Sequence, residues 1–352
     1  VTKYAPATEY IPEIISQVQR LLDKKYAYLL DDGIYYNVQK FKRYGRLSGQ
    51  ALEDLKAGAR VEIKENKKHP ADFVLWKLAK PNEPTWQATF TIKKKQVQQP
   101  GRPGWHIEDT AIAEKHFGQQ YDAHGGGLDL IRPHHEAEIA QMEAISGKKP
   151  YVRYWLHNGF VNIDEEKMSK SLHNFKTIRE ILQQHNWQII RLFLLSTHYR
   201  SPINFTEEGL ENAKKTLDRI HEAVRALQNY KHDKENKKIE KLIEKTQKAI
   251  EKSLDNDFET ARAIAALFGL IKATNKAIAK QTLSQKNKED ILKKIQEWNT
   301  FFEVLIPQED IPKEIYQLAQ ERQKAREKKD WQRSDELREE IKKRGFYVQD
   351  TK

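Results

Sequence analysis

The stretch Trp155 to Asn174, WLHNGFVNIDEEKMSKSLHN, decides how this chain is read. Its centre is Lys167-Met168-Ser169-Lys170-Ser171. Two lysines three apart, separated by small hydroxyls, make a cationic loop suited to a polyphosphate. Each lysine is a compact point charge with three donors on a flexible stem. Such charges can neutralise what builds up on a departing pyrophosphate. A lysine- and serine-rich pentamer is equally compatible with a solvated turn. The alternation before it, Phe160 to Ile163, predicts a strand leading into the loop.

Composition sets the outer bounds. The chain has 352 residues, 32% charged and 38% hydrophobic, enough for two or three domains. No apolar run reaches the ~20 residues that span a bilayer, and nothing at the start reads as a signal peptide. The first residue is Val1, from which an upstream segment is expected. The formal net charge is +11. That suits a polyanionic partner such as RNA, and equally a lysine- and glutamate-rich background. With no cysteine there is no disulfide or thiolate chemistry; a cytoplasmic location is compatible.

Working outward, residues 8–25 predict a helix capped by Thr8, with Ile11, Ile14, Ile15, Val18, Leu21 and Leu22 on one face. Strands are expected at Ala27–Leu30, Ile34–Val38 and Phe73–Leu78, and a short helix at 50–57. Prolines at 81, 84, 100 and 103 bracket a surface excursion, read as a hairpin over Thr89–Val97, with lysines at 93–95. Trp105–Glu108 reads as a strand end, Thr110–Phe117 as a helix, His124–Gly127 as a glycine turn and Pro133–Ser146 as a helix. From about 206 onward the pattern is helical throughout. Leu210, Leu217, Ile220, Val224 and Leu227 make one amphipathic face, and further helices fall at 238–252, 259–280, 287–305, 313–328 and 331–344. The expected divisions are 1–205, 206–310 and 311–352: an α/β part followed by an all-α bundle.

Three further clusters carry candidate chemistry. In His124-Gly-Gly-Gly-Leu-Asp129, glycines let backbone approach a ligand closely, and a carboxylate two residues on suits ribose hydroxyls. In Pro133-His134-His135-Glu136-Ala137-Glu138, His134 and Glu138 stand at i and i+4 and can converge on one ion. A solvated helix start is the alternative. Gly104 to Asp109 ends in Trp, His and two carboxylates at an α/β junction, where such sheets place ligands.

Taken together these segments resemble the cysteinyl-tRNA synthetases, a family of class I aminoacyl-tRNA synthetases. PGWHIE (103–108), HGGGLDL (124–130), PHHEAEIAQ (133–141), WLHNGF (155–160), KMSKS (167–171) and HYRSPINF (198–205) follow in the family's order, as do ATEYIPEII (7–15), ERQKAREKKDW (321–331) and SDELREEI (334–341). The resemblance implies a Rossmann-like catalytic part, here its second half with a connective insertion, followed by helical tRNA-binding regions. It implies ATP-dependent activation of cysteine as the adenylate, with magnesium, then transfer to tRNA(Cys) by a monomer. By the same resemblance Lys167 and Lys170 are catalytic. His124, Gly126, Gly127, Asp129, Lys167, Met168, Ser169, Lys170 and Ser171 bind ATP, Trp105 lies by the cysteine, and Asp109, His134 and Glu138 hold zinc.

The chain departs from the family pattern in several ways. The N-terminal half, with its HIGH-type motif and one cysteine ligand, is not in it, so this chain alone is expected to be inactive. Asp109 stands where the family has a cysteine, which leaves zinc either retained with an aspartate ligand or lost. His173 replaces a glycine, Arg132 an aromatic residue, and the 88–99 excursion is longer than usual. Two alternatives stay open: a non-catalytic RNA-binding paralog, and a ligase joining cysteine to an amino-sugar.

Overall fold

The computed structural model describes residues 1–50, 52, 66–163, 166–168, 175–307, 312–344, 346 and 348. Residues 51 and 53–57 of the helix expected at 50–57, and Ser169, Lys170 and Ser171 of the lysine loop, lie outside the described residues. The chain divides into two compact units, Val1–Phe175 with Tyr199–Phe205, and Lys176–His198 with Thr206–Lys352.

The first unit is built on a four-stranded antiparallel sheet in the order β1 (Ala27–Leu30), β2 (Gly33–Tyr36), β3 (Phe73–Leu78), β6 (Gly101–Pro103). Between β3 and β6 the chain makes the hairpin β4 (Thr89–Ile92) and β5 (Lys95–Gln98). The expected hairpin is there, yet it is not purely a surface feature. Phe90 is fully buried, edge-on to Trp76 at 5.8 Å.

Helix α1 (Ile11–Asp23) packs with α2 (Trp105–Phe117) and α3 (Glu136–Ser146). Ile14, Val18 and Leu21 are fully buried, as the helical spacing predicts. Thr8 does not cap α1. It sits in a separate 3-10 turn, Ala7–Glu9, and Tyr10 precedes the helix with no side-chain cap. The polar member of this face is Gln17, whose amide donates to the Thr110 carbonyl (3.0 Å) and accepts from Thr110 Oγ1 (2.9 Å). A buried amide so satisfied fixes the angle between α1 and α2.

Three expectations are corrected here. Trp105–Glu108 is the first turn of α2, not a strand end. Gly104 precedes it, donating to the Leu75 carbonyl (2.8 Å). A Cβ at Gly104 would meet Val74 O at 2.0 Å, so only glycine lets the helix start against β3. His124–Gly127 is not a turn: it ends β7 (Tyr121–Gly127), which runs parallel to β8 (Val152–Asn158). Neighbouring-strand bonds hold the glycines extended despite their low β propensity. Helix α3 starts at Glu136 rather than Pro133, after one wide π-type turn, Ile131–His135. Arg132 inside that turn is extended (φ −143°, ψ 132°), as a residue before proline prefers.

Beyond β8, strands β9 (Val161–Ile163) and β10 (Glu166–Lys167) form an antiparallel pair. Strand β11 (Ile203–Phe205) lies parallel to β9. The strand expected before the lysine loop is β9, and Lys167 closes the pair opposite Asn162.

The second unit is helical among its described residues. It begins with α4 (Ile178–Gln184) and α5 (Trp187–Leu195). These group with the helices after Thr206 rather than with the α/β unit, because Leu192 and Phe193 of α5 are buried where it packs with α6 (Glu207–Asn229). Thr206 caps α6, and all five apolar positions expected on its face are buried. Helices α7 (Lys237–Asp255), α8 (Thr260–Ala279) and α9 (Gln285–Phe302) follow. The last two, α10 (Lys313–Glu327) and α11 (Trp331–Lys343), pair with each other, Asp330 capping the second. No described helix is long and apolar enough to cross a membrane.

Candidate functional site

The candidate site lies where α2, β7, α3 and β8 converge. Strands β7 and β8 are parallel, and Gly126 and Gly127 stand at their carboxyl ends beside His157 and Asn158. Ligands bind at such ends in open α/β sheets. Asp129 follows in an exposed 3-10 turn, Leu128–Leu130. A Cβ at Gly126 would come within 2.7 Å of His135 Cε1, so the backbone passes directly over that imidazole.

Glu138 is the centre of the polar cluster. It is fully buried, and neither carboxylate oxygen has a hydrogen-bond partner. His134 Nε2 lies 3.2 Å from its Oε1, but also 2.7 Å from Asp109 Oδ2, with which it is hydrogen-bonded. His124 Nδ1 approaches the other oxygen at 3.8 Å, and His135 Nε2 lies 4.0 Å from Oε1. Burial, then the nearby Asp109 charge, pushes the Glu138 carboxyl well above its ordinary range.

Asp109, His134 and Glu138 present ligand atoms within 4.8 Å of one another, as do His124, His135 and Glu138. The first trio is the one expected from the sequence. A buried carboxylate with two open acceptors, facing imidazoles, is the donor set a zinc ion takes. The fit is supported by the protonation of the surroundings. Burial holds His135 down to about 3 and His106 down to about 4, so both stay neutral donors or acceptors near pH 7. Burial also lowers His124 and His157.

Trp105 stacks on His134 at 4.3 Å with an interplanar angle of 19°, yet stays 58% exposed. It can therefore roof the ligand cluster while keeping one face free for a small molecule. His106 Nδ1 lies 2.7 Å from His134 Nδ1, and His135 Nδ1 lies 2.8 Å from His157 Nε2. Trp155 packs between His124 (4.7 Å) and His135 (4.8 Å).

The structure thus brings together Trp105, Asp109, His134 and Glu138. It places His124 with them, facing Glu138 rather than standing only beside the glycines. Met168 is tied by its N–H to the Val161 carbonyl (3.0 Å). His135, Trp155 and His157 were given no role from the sequence. A signal was present: His135 is three residues before Glu138 on the same helical side, and Trp155 and His157 alternate along one strand face.

In the helical unit Trp331 is 56% exposed, with the Arg326 guanidinium 5.8 Å from its ring centre. Arg322, within the lysine- and arginine-rich run ERQKAREKKDW, is buried at 3% exposure. It faces inward because it shares the helix side of Ile315, also buried.

Residues 1–215 match the family described as tRNA synthetases class I (C) catalytic domain. Residues 249–305 match a DALR domain, and 308–352 a cysteinyl-tRNA ligase anticodon binding domain. The chain is 42% identical over 358 residues to a cysteine–tRNA ligase of Carboxydothermus hydrogenoformans, covering 99% of this chain and 75% of the relative. It is 43% identical over 352 residues to one of Thermoplasma volcanium, covering 99% and 74%. A solved structure described as an arginyl-tRNA synthetase of Campylobacter jejuni matches in fold, with a TM-score of 0.54 and 12% identity, over 87% of this chain and 63% of that one.

Proposed function

This chain belongs to the cysteine–tRNA ligases, and from that premise we propose how its residues divide the work. The family reaction joins cysteine to tRNA at the expense of ATP. A cysteine carboxylate oxygen bonds to the α-phosphorus of ATP, and the α–β anhydride bond breaks to release pyrophosphate. A ribose hydroxyl at the tRNA end then bonds to the cysteine carbonyl, and AMP leaves.

The observation that carries the site assignment is Glu138, fully buried with neither oxygen hydrogen-bonded and three imidazoles facing it. Asp109, His134 and Glu138 would hold zinc, with Asp109 serving where relatives of this type have a thiolate. Zinc, when bound, supplies a soft Lewis acid that a cysteine thiolate satisfies far better than a serine hydroxyl. Trp105, stacked on His134, walls the amino-acid pocket and excludes water from it. The neutral His106 holds His134 in place through their Nδ1 contact (2.7 Å), fixing the ring that faces Glu138.

Gly126, Gly127 and Asp129, at the carboxyl end of β7, would take the adenosine, with the Asp129 carboxylate on its ribose hydroxyls. Lys167, Met168, Ser169, Lys170 and Ser171 would close over the triphosphate, Lys167 and Lys170 stabilising the negative charge of departing pyrophosphate. Magnesium would accompany ATP. The helices from Thr206 onward, above all α10 and α11, would bind tRNA(Cys). We place the protein in the cytoplasm as a monomer.

Cysteine-dependent ATP–pyrophosphate exchange by the full gene product tests the reading, with elemental analysis of the same sample. Exchange with about one equivalent of zinc is expected. Exchange with no bound metal would remove Asp109, His134 and Glu138 as ligands. Tight tRNA binding with no exchange at all would point to the non-catalytic alternative.

A further inference from the structure

The geometry points to the β4–β5 hairpin tip as a second RNA-binding element, gripping phosphates of the tRNA acceptor arm through Lys93, Lys94 and Lys95; this rests on the tRNA-ligase reading above. The two-residue loop is Lys93-Lys94, with strand pairing closed by Ile92 opposite Lys95. Both loop residues have positive φ, 50° and 65°. That is the backbone of a type I′ turn, for which Asn-Gly is the unstrained choice. Lysine brings a Cβ penalty at both positions and no local hydrogen bond to offset it. A strained pair of cations where neutral residues fit better is a feature whose benefit lies outside the fold.

The surroundings present this charge rather than cancel it. No Asp or Glu occurs between Glu83 and Glu108, while Lys93, Lys94 and Lys95 do; Arg102, in the same stretch, is paired with Glu83 (3.5 Å). All three lysines are exposed, and among the described residues none is ion-paired. The hairpin is also held firmly. Gln19 of α1 clamps the outer edge of β4, donating to the Thr91 carbonyl (3.1 Å) and accepting from the Thr91 N–H (2.8 Å). The Asp23 carboxylate beside the clamp is engaged by Gln19 Nε2 (2.7 Å). Phe90 is sunk against Trp76, whose Nε1–H donates to the Gln99 carbonyl (2.9 Å) at the hairpin base. A rigid, doubly anchored arm loses little entropy when its tip meets a ligand.

Three consecutive exposed cations suit a backbone with one negative charge per phosphate. The hairpin belongs to the same unit as the catalytic cluster. The tRNA part that must enter that unit is the acceptor end, so its stem phosphates are the partner the charge and position favour.

The test is RNA binding by the full gene product between 50 and 200 mM salt, on a tRNA(Cys) transcript and on a minihelix of its acceptor arm. Three forms are compared: the unaltered protein, Lys93→Asn with Lys94→Gly, and Lys93→Arg with Lys94→Arg. The Asn-Gly form relieves the turn, so its melting temperature should hold or rise. It should still bind both RNAs about tenfold more weakly, with a log–log salt slope smaller by about 2. The Arg form should bind like the unaltered protein. If the Asn-Gly form melts lower, Lys95→Gln, which leaves the turn alone, should show a smaller loss with a slope change of about 1. Unchanged affinity and slope in the Asn-Gly form or in Lys95→Gln would overturn the inference and leave the lysines as guards of a strand edge. Absence of RNA binding by the unaltered protein would instead overturn the tRNA-ligase reading on which it rests.

Discussion

Replacing Glu138 by glutamine should make the metal-free protein more stable and the zinc-loaded protein less so. The carboxylate is fully buried with neither oxygen hydrogen-bonded. A buried polar group without partners costs about 1–3 kcal/mol and an ionisable one more; glutamine keeps only the neutral cost, so a gain of that order is expected. Its acid form is favoured in the fold, since burial pushes the carboxyl well above the ordinary value of 4.5. The sign follows from that direction. A carboxyl raised on folding contributes fully below its ordinary value, and its contribution is lost as pH rises towards the folded value. Near pH 7.5 the glutamate is therefore a net cost that the always neutral glutamine avoids. For a unit of this size each kcal/mol moves the melting temperature by about 2–4 °C. Metal-free Glu138→Gln should then melt about 2–12 °C higher. Zinc at a hundred times its dissociation constant should add about 2.7 kcal/mol to the unaltered protein, and far less to the variant, which has lost an anionic ligand. Thermal melts in chelator and in a zinc series at pH 7.5 measure both effects. Equal zinc shifts in the two proteins, or a variant that melts lower without metal, would refute the assignment of Glu138 as a ligand held ready by the fold.

Three other predictions concern the lysine loop, the last two helices and a buried histidine. Lys170→Ala in the full gene product should slow ATP–pyrophosphate exchange by about 100–1000-fold while changing ATP affinity much less, and near-normal exchange would remove this loop from catalysis. Deleting 313–352, which carries the exposed Trp331, should weaken tRNA binding and charging but spare exchange; equal tRNA affinity at ~0.1 M salt, where charges are screened beyond about 10 Å, would leave α10 and α11 without an RNA role. His221, buried in α6, donates from Nε2 to the Val304 carbonyl (3.0 Å), and burial holds it below the ordinary 6.5. Its depressed value means the unfolded chain binds the proton first, so stability present above 6.5 is lost as pH falls below it. The helical unit should therefore melt lower at pH 5.5 than at 7.5, and less so in His221→Gln; parallel curves for the two forms would show that His221 does not carry the pH dependence.

Much of the architecture was legible from spacing alone. Helical faces such as Leu210 to Leu227, and strand β3, follow from periodicity, because burial of one side is a local demand on the sequence. The lysine-rich hairpin was legible from the bracketing prolines. The His134–Glu138 pairing was legible from the i, i+4 spacing, and His134 Nε2 lies 3.2 Å from Glu138 Oε1 although His134 stands in the wide turn before α3.

What the sequence by itself determined, then, was the family, the two-part architecture and the identity of most polar groups around the cluster. The tertiary structure decided their states. HGGG reads locally as a turn, but Trp155, Leu156, His157 and Asn158 of β8 pair alongside it and draw it out as a strand. WHIE reads as a strand by its Trp and Ile, but Gly104 pressed against Val74 starts a helix there instead. That helix carries Asp109 to 2.7 Å from His134, across 25 positions of chain. Arg322 lies in a run of surface cations and is nonetheless buried. Local pattern fixes which side of an element is apolar; burial, the proton on a carboxylate and the company of a histidine depend on contacts between distant segments, and only the folded chain supplies those.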